Sequence, residues 1–187
     1  VDVYAGDFRQ EHRTAMPKAR EIWTTRMDPT DIAIVYPGEG RERALGSSLF
    51  ASLEAGQYAT IDSGIVIMVL SAVEGWSAAG PTGQHASAPE GMHLSLEELA
   101  RMLVRRDEDV RGVSIMYLAK KALASRRMFL VSEGISEDDA LAYGFAFSTR
   151  SYEEALGKAF DELGQNATIS TNIQHGIGWR MAPWVEG

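Results

Sequence analysis

The sequence predicts an α/β fold: a three-layer, Rossmann-like sandwich with a mostly parallel central sheet, as a single domain over residues 1–187. Two observations carry that expectation. The runs DIAIVYP (31–37), GIVIMVLSA (64–72) and MFLVS (128–132) are continuously apolar, as strands covered on both faces are. Segments of helical period lie between them, as crossover connections in a parallel sheet require. Such crossovers are expected to be right-handed.

In chain order, VDVYA (1–5) predicts a short strand, turned by Gly6 and Asp7. QEHRTAMPKAREIWTTRM (10–27) has helical spacing, with Ala15, Ala19, Ile22 and Trp23 on one face. Pro17 is expected to kink that helix or mark its first turn. Asp7 is placed to cap its start. After the strand at 31–37, LGSSLFASLEAG (45–56) predicts a helix with Leu45, Leu49 and Leu53 inward and Gly56 at its C-terminal end. The strand at 64–72 leads into residues 73–93, rich in Gly, Pro, Ser and Ala and without period. Loops of that length are uncommon in compact domains and usually serve function. SLEELARMLVRR (95–106) opens on a capping box, Ser95 with Glu98. GVSIMYLAKKALAS (112–125) predicts another helix and SEDDALAYG (136–144) a short capped one. SYEEALGKAFDELG (151–164) carries a second capping box, Ser151 with Glu154, and ends on glycine. ATIST (167–171) predicts the last strand, followed by an irregular tail.

Composition narrows the function classes. The formal charge is −8, with 45% hydrophobic and 24% charged residues. An acidic surface speaks against nucleic-acid and membrane-surface partners, both of which need a positive face. No apolar run approaches the roughly 20 residues of a membrane span. The start has no signal-peptide pattern, and there is no cysteine for a disulfide framework. A cytoplasmic location is the expectation, and the abrupt start suggests a domain cut from a longer protein.

In parallel sheets ligands bind beyond the carboxyl ends of strands, where strand order reverses. That rule selects residues 5–8, 36–48, 72–80 and 132–135. The second stretch, YPGEGRERALGSSLF, has the texture of a phosphate cradle. It departs from the P-loop, because Gly40 and Gly46 are one residue too far apart and Ser47 stands where lysine is needed. It departs from the dinucleotide fingerprint too, because Arg43 replaces the third glycine and Asp62 precedes the next strand. Two readings stay open. The loop turns a corner with glycines at positive φ, or Ser47 and Ser48 in the helix's first turn, with Arg41 and Arg43, hold a carboxylate or phosphate oxygen.

Glu74 and Trp76, just past a buried strand, could orient a polar substrate and screen it from water. The plainer reading is an edge carboxylate and an indole covering the sheet end. A site role for Trp76 implies that its removal spares stability. His12, His85, His93 and His175 show no metal-ligand spacing, and no metal site made by this chain alone is expected. No G-x-S-x-G elbow is present, which argues against a serine hydrolase, and no catalytic residue is assigned.

Five pieces in order resemble the C-terminal domain of the nickel-pincer lactate racemase family. They are AGDFRQEHRTAMPKAR, DIAIVYPGEG, GIVIMVLSAVEGWSAAG, YLAKKALASRRMFLVSEGIS and YGFAFSTRSYEEALGKAFDELGQNATIST, and they run over nearly the whole chain. The resemblance implies a two-domain protein whose missing N-terminal domain holds the nickel-pincer nucleotide through histidines and a lysine. The C-terminal domain covers that cofactor and offers substrate-side residues. The implied chemistry is hydride removal from the α-carbon of a small 2-hydroxy acid, and its return to either face, giving a racemase or epimerase. The isolated domain would be inactive. The family's Tyr-Gln pair and lysine fall near Gly46, Ser47 and Phe50, and its substrate-side tryptophan near Ser114. Those replacements make lactate itself a poor fit and favour a larger or less charged 2-hydroxy acid. With Arg43, Ser48, Glu74 and Trp76 from the reading of the loops, and Ser47, Phe50 and Ser114 at the places of the family's contacts, the candidate substrate-binding set is Arg43, Ser47, Ser48, Phe50, Glu74, Trp76 and Ser114. Two alternatives stand beside it. One is a non-catalytic binding or regulatory module that kept the fold; the other is an independent nucleotide-binding domain.

Overall fold

A computed structural model describes residues 3–25, 27–76, 93–105, 110–173 and 180–181. The apolar runs form the strands β2 (Thr30–Tyr36), β3 (Thr60–Val69) and β4 (Arg127–Val131). With β5 (Phe147–Thr149) and β6 (Ile169–Ile173) they make one sheet ordered β5-β4-β3-β2-β6, in which every pairing is parallel. The chain steps in one direction from β2 to β5. It then returns to the far side of β2 as β6, so strand order reverses between β2 and β6.

Helices cover both faces, as alternation of strand and helix predicts. On one face Val35, Val66, Met68, Met128 and Leu130 pack against α2 (Leu45–Ala59), α4 (Val110–Ser125) and α5 (Glu137–Tyr143). On the other, Ile32, Ile65, Ile67, Phe129 and Val131 meet Ala155 and Ala159 of α6 (Tyr152–Leu163). A smaller apolar cluster joins α4 to α3 (Leu96–Arg105) through Leu99, Val113 and Met116.

The caps follow the sequence. Ser95 Oγ accepts from Glu98 N at 3.1 Å, and Glu98 accepts back from Ser95 N at 2.7 Å. The Ser95 hydroxyl, which also donates to Glu98 Oε2 at 2.7 Å, and then Ser95 N hold the Glu98 carboxyl below its ordinary pKa. Ser136 caps α5, which ends on Gly144 in the left-handed region. Ser151 caps α6 through Glu154 N, but the Glu154 carboxylate turns to Thr149 Oγ1 instead of to Ser151 N, which itself donates to Thr149 Oγ1.

Several expectations are corrected. Residues 3–7 are not a strand, and helix α1 (Phe8–Trp23) begins directly after them, capped by Asp7 Oδ1 at Arg9 N and Gln10 N. Pro17 lies in the body of α1, not in its first turn. Gly56 does not end α2, which runs to Ala59 and straight into β3. A Cβ on Gly56 would stand 2.4 Å from Val66 Cγ1, so this glycine lets the helix lie close on the sheet. β5, three residues long, carries no readable period and was not predicted. Part of the tail is a strand: β7 (Arg180–Met181) pairs in parallel with β1 (Thr24–Thr25). The rest of the tail lies outside the described residues.

Candidate functional site at the carboxyl ends of the strands

Three loops leave the carboxyl ends of β2, β3 and β4 side by side. The first turns on Gly38 and Gly40, at φ 95° and 83°. A Cβ on Gly40 would meet nothing within 4 Å, so its conformation and not its surroundings calls for glycine. Arg41 N and Glu42 N both donate to Gly38 O, closing the corner.

The second loop is laced to the first along its length. Glu42 O accepts from Ala72 N at 2.7 Å and from Ser71 Oγ at 3.0 Å, and Arg43 O accepts from Glu74 N at 2.8 Å. In the opposite sense Leu45 N donates to Gly75 O and Gly46 N to Trp76 O. Those two N–H groups are the donors that the first turn of a helix leaves open for an anion. Here the chain's own carbonyls take them. Side chains reinforce the lacing: Arg43 Nε donates to Glu74 Oε1 at 2.7 Å, which holds the guanidinium above its ordinary pKa. Both partners are exposed, so solvent screens the pair and it adds little to stability.

The third loop locks the second from beneath. Gly134 N donates to Ser71 O, and Ser132 Oγ also donates to Ser71 O. A Cβ on Gly134 would fall 1.7 Å from the Ala72 carbonyl oxygen, so only glycine fits there. Ala72 itself is fully buried with φ 46°, a conformation that costs a residue with a Cβ about 1 kcal/mol or more.

The predicted site residues are distributed as follows. Arg43 and Glu74 are brought together at the rim. Ser48 is buried, and its hydroxyl donates to the backbone carbonyls of Arg41 and Ala44, so it braces the corner from inside. Trp76 is 9% exposed and meets Tyr143 edge to face at 4.8 Å, within the core. Ser47 and Phe50 lie in the first two turns of α2, but their side chains are outside the described residues. Ser114 lies on another element, α4, with its hydroxyl donating to Val110 O. Of the stretches selected for ligands, residues 5–8 follow no strand of the sheet, and 77–80 are outside the described residues. His85 and His175 are also outside them, while His12 is exposed beside Phe8 and His93 lies near Tyr143.

Two groups that sequence reasoning passed over stand at the point where strand order reverses. Tyr36 ends β2, and its phenol is pushed above its ordinary pKa, first by burial and then by the nearby carboxylates of Glu42 and Glu39. Glu42 Oε2 is shielded from solvent without a hydrogen-bond partner. The only signal in the sequence was position: Tyr36 ends β2, and Glu42 lies in the loop that follows it.

No family model matches the sequence, and no curated protein matches it. The fold is similar to the lactate racemase apoprotein from Thermoanaerobacterium thermosaccharolyticum, at a TM-score of 0.69 and 18% sequence identity. The similarity covers 92% of this chain and 40% of that one. At that identity the likeness establishes a shared fold. No helix among the described residues is long and apolar enough to cross a membrane.

Proposed function

We propose that this chain is the substrate-side, cofactor-covering domain of a lactate racemase-like 2-hydroxy acid racemase or epimerase. The observation that supports the reading is the shared fold, which runs through almost all of this chain but spans less than half of the lactate racemase. The remaining length would come from a further domain that faces the carboxyl ends of the strands. In this reading Arg43 and Glu74 form the rim of the substrate site. Ser47 and Phe50 meet the substrate where lactate racemases carry glutamine and lysine, and Ser114 stands near the place of their tryptophan. Ser48 and Trp76 act indirectly, by fixing the two laced loops.

Enzymes of this family work with a nickel-pincer nucleotide as hydride acceptor. The described residues of this chain do not fit the role of its holder. Leu45 N and Gly46 N are occupied, Arg43 is paired, and among the described residues no group of three or more His, Asp or Glu side chains could hold a metal. The group would belong to the companion domain, and no step through it is assigned to this chain. What this chain contributes is cover: a rigid wall of backbone that excludes water and positions the acid.

The test is nickel analysis of the full-length protein together with a chiral screen of 2-hydroxy acids. Bound nickel and conversion of a single enantiomer to a mixture are expected. A full-length protein that binds no nickel and interconverts no 2-hydroxy acid would falsify the reading. A second reading, a binding or regulatory module without chemistry, is favoured by the occupied helix N-terminus. A preceding segment without paired histidines and the cofactor-bearing lysine would decide for it.

A further inference from the structure

We propose that this chain forms a reciprocal dimer, in which helix α1 of each copy docks on the uncovered β2–β6 face of the other. The two sides of the sheet are covered unequally. Three helices lie on one side, whereas α6 alone covers β3, β4 and β5 on the other. The strip over β2 and β6 carries no helix among the described residues. Register sets Ile169, Thr171 and Ile173 beside Ile32, Ile34 and Tyr36, all on the α6 side. Ile169 and Ile173 are 40% and 56% exposed, and Ile34 is half-buried. On α6, Lys158 and Glu162 turn to Phe147 of β5 and Arg127 of β4, so Leu156, Phe160 and Glu153 fall on the opposite flank, toward β2. Two strands about 4.8 Å apart leave a strip roughly 10 Å wide, the diameter of one helix.

Helix α1 supplies the matching surface. Phe8, Ala15, Ala19 and Ile22 recur on one of its faces, and Phe8 and Ile22 are 79% and 54% exposed. Its main contact is with β1, its neighbour in sequence. Arg9, Arg13 and Arg20 form one flank of the apolar face, exposed and without an ion pair among the described residues. With Lys18 they outnumber Glu11 and Glu21, which makes α1 a basic island on a chain of net charge −8. The border of the strip is acidic: in α6 Glu153, Glu154, Asp161 and Glu162 outnumber Lys158 and the preceding Arg150. A basic flank against an acidic border favours this pairing and sets its orientation. The helix does not reach the strip of its own chain without breaking the β1–β7 pairing, because β7 lies beside α2 on the opposite side of the sheet. A second copy is free of that tie. Exchange of α1 seats both helices and both strips at once, and two-fold symmetry closes the assembly.

Sedimentation velocity of the 187-residue chain over a micromolar dilution series should show a monomer–dimer equilibrium. A helix variant, Phe8→Glu with Ile22→Glu, and a strip variant, Ile173→Glu, should each weaken the dimer about ten-fold or more, since each places an unpaired charge in the contact. These side chains are exposed in the single chain, so the melting temperature of the dilute monomer should change by no more than about 2 °C. Should Ile173→Glu fail to fold, Thr171→Arg tests the same strip from an exposed position. An equimolar mixture of the helix and strip variants keeps one intact contact per mixed pair, so it should dimerise more than either variant alone. A wild-type chain that stays monomeric throughout, its strip left to a companion domain or another protein, overturns the proposal. A dimer untouched by the strip variant, as contact of α1 with α1 would give, overturns it too, as does a mixture no more dimeric than its parts.

Discussion

An indole that is 9% exposed, with a phenol ring 4.8 Å away, holds residues 72–76 from the inside. Trp76→Ala should therefore destabilise the chain by about 3–5 kcal/mol, the usual cost of deleting a core aromatic. Chemical denaturation measures it, and a loss under 1 kcal/mol would return Trp76 to a solvent-facing role. This reverses what a surface position would imply, and the reason is physical. A sequence shows that an aromatic follows a strand, but not whether the loop folds it outward or back over the sheet. Ser48 illustrates the same limit. Its place in the first turn of a helix suggested a ligand hydroxyl, yet both bonds from that hydroxyl go to carbonyls seven and four residues earlier. Glu42 was invisible for the opposite reason, because a missing partner leaves no trace in residue spacing.

At the scale of elements, the outer edge of the sheet is pinned by one carboxylate. Asp31, in β2, accepts from Thr168 N at 2.8 Å and Thr168 Oγ1 at 2.6 Å, just before β6 begins. Those bonds hold the Asp31 pKa below its ordinary value of 3.8. The folded state thus favours the charged form more than the unfolded state does. The contribution is complete above the unfolded pKa and is lost as pH falls through the lower, folded one. Wild type and Asp31→Asn, compared by urea midpoints, should differ by a constant amount above about pH 5 and converge below about pH 4. A gap that stays constant down to pH 2.5 would show that the Thr168 contact carries no charge-dependent stability. The strands and caps of this sheet were legible because their signals are local: a run of apolar residues, or a serine three positions before a glutamate. β5 was not, since three residues are too few to show a period and its place is set by β4 alongside.

For the molecule as a whole, parallel pairing was legible from alternation, but the order of the strands was not. The sequence contains no mark that sends β6 back to β2; that choice is made by the faces left open once β2 to β5 are in line. The five-stranded order has a consequence for how the chain is made. Ile32 pairs with Ile169, and the Asp31–Thr168 link at the same edge joins residues 137 positions apart. At about 5–20 residues per second, a ribosome needs roughly 7–27 seconds to deliver the missing neighbour. Throughout that interval β2, among the most apolar segments, presents an unpaired edge of the kind that invites other strands. A chain that stops at residue 166 should accordingly be recovered mainly in aggregates, while the full chain stays in the supernatant; equal solubility of the two would mean that β2 needs no late partner. Nascent copies of this protein would thus be held to a schedule, with a chaperone's window that closes only when the sixth strand emerges.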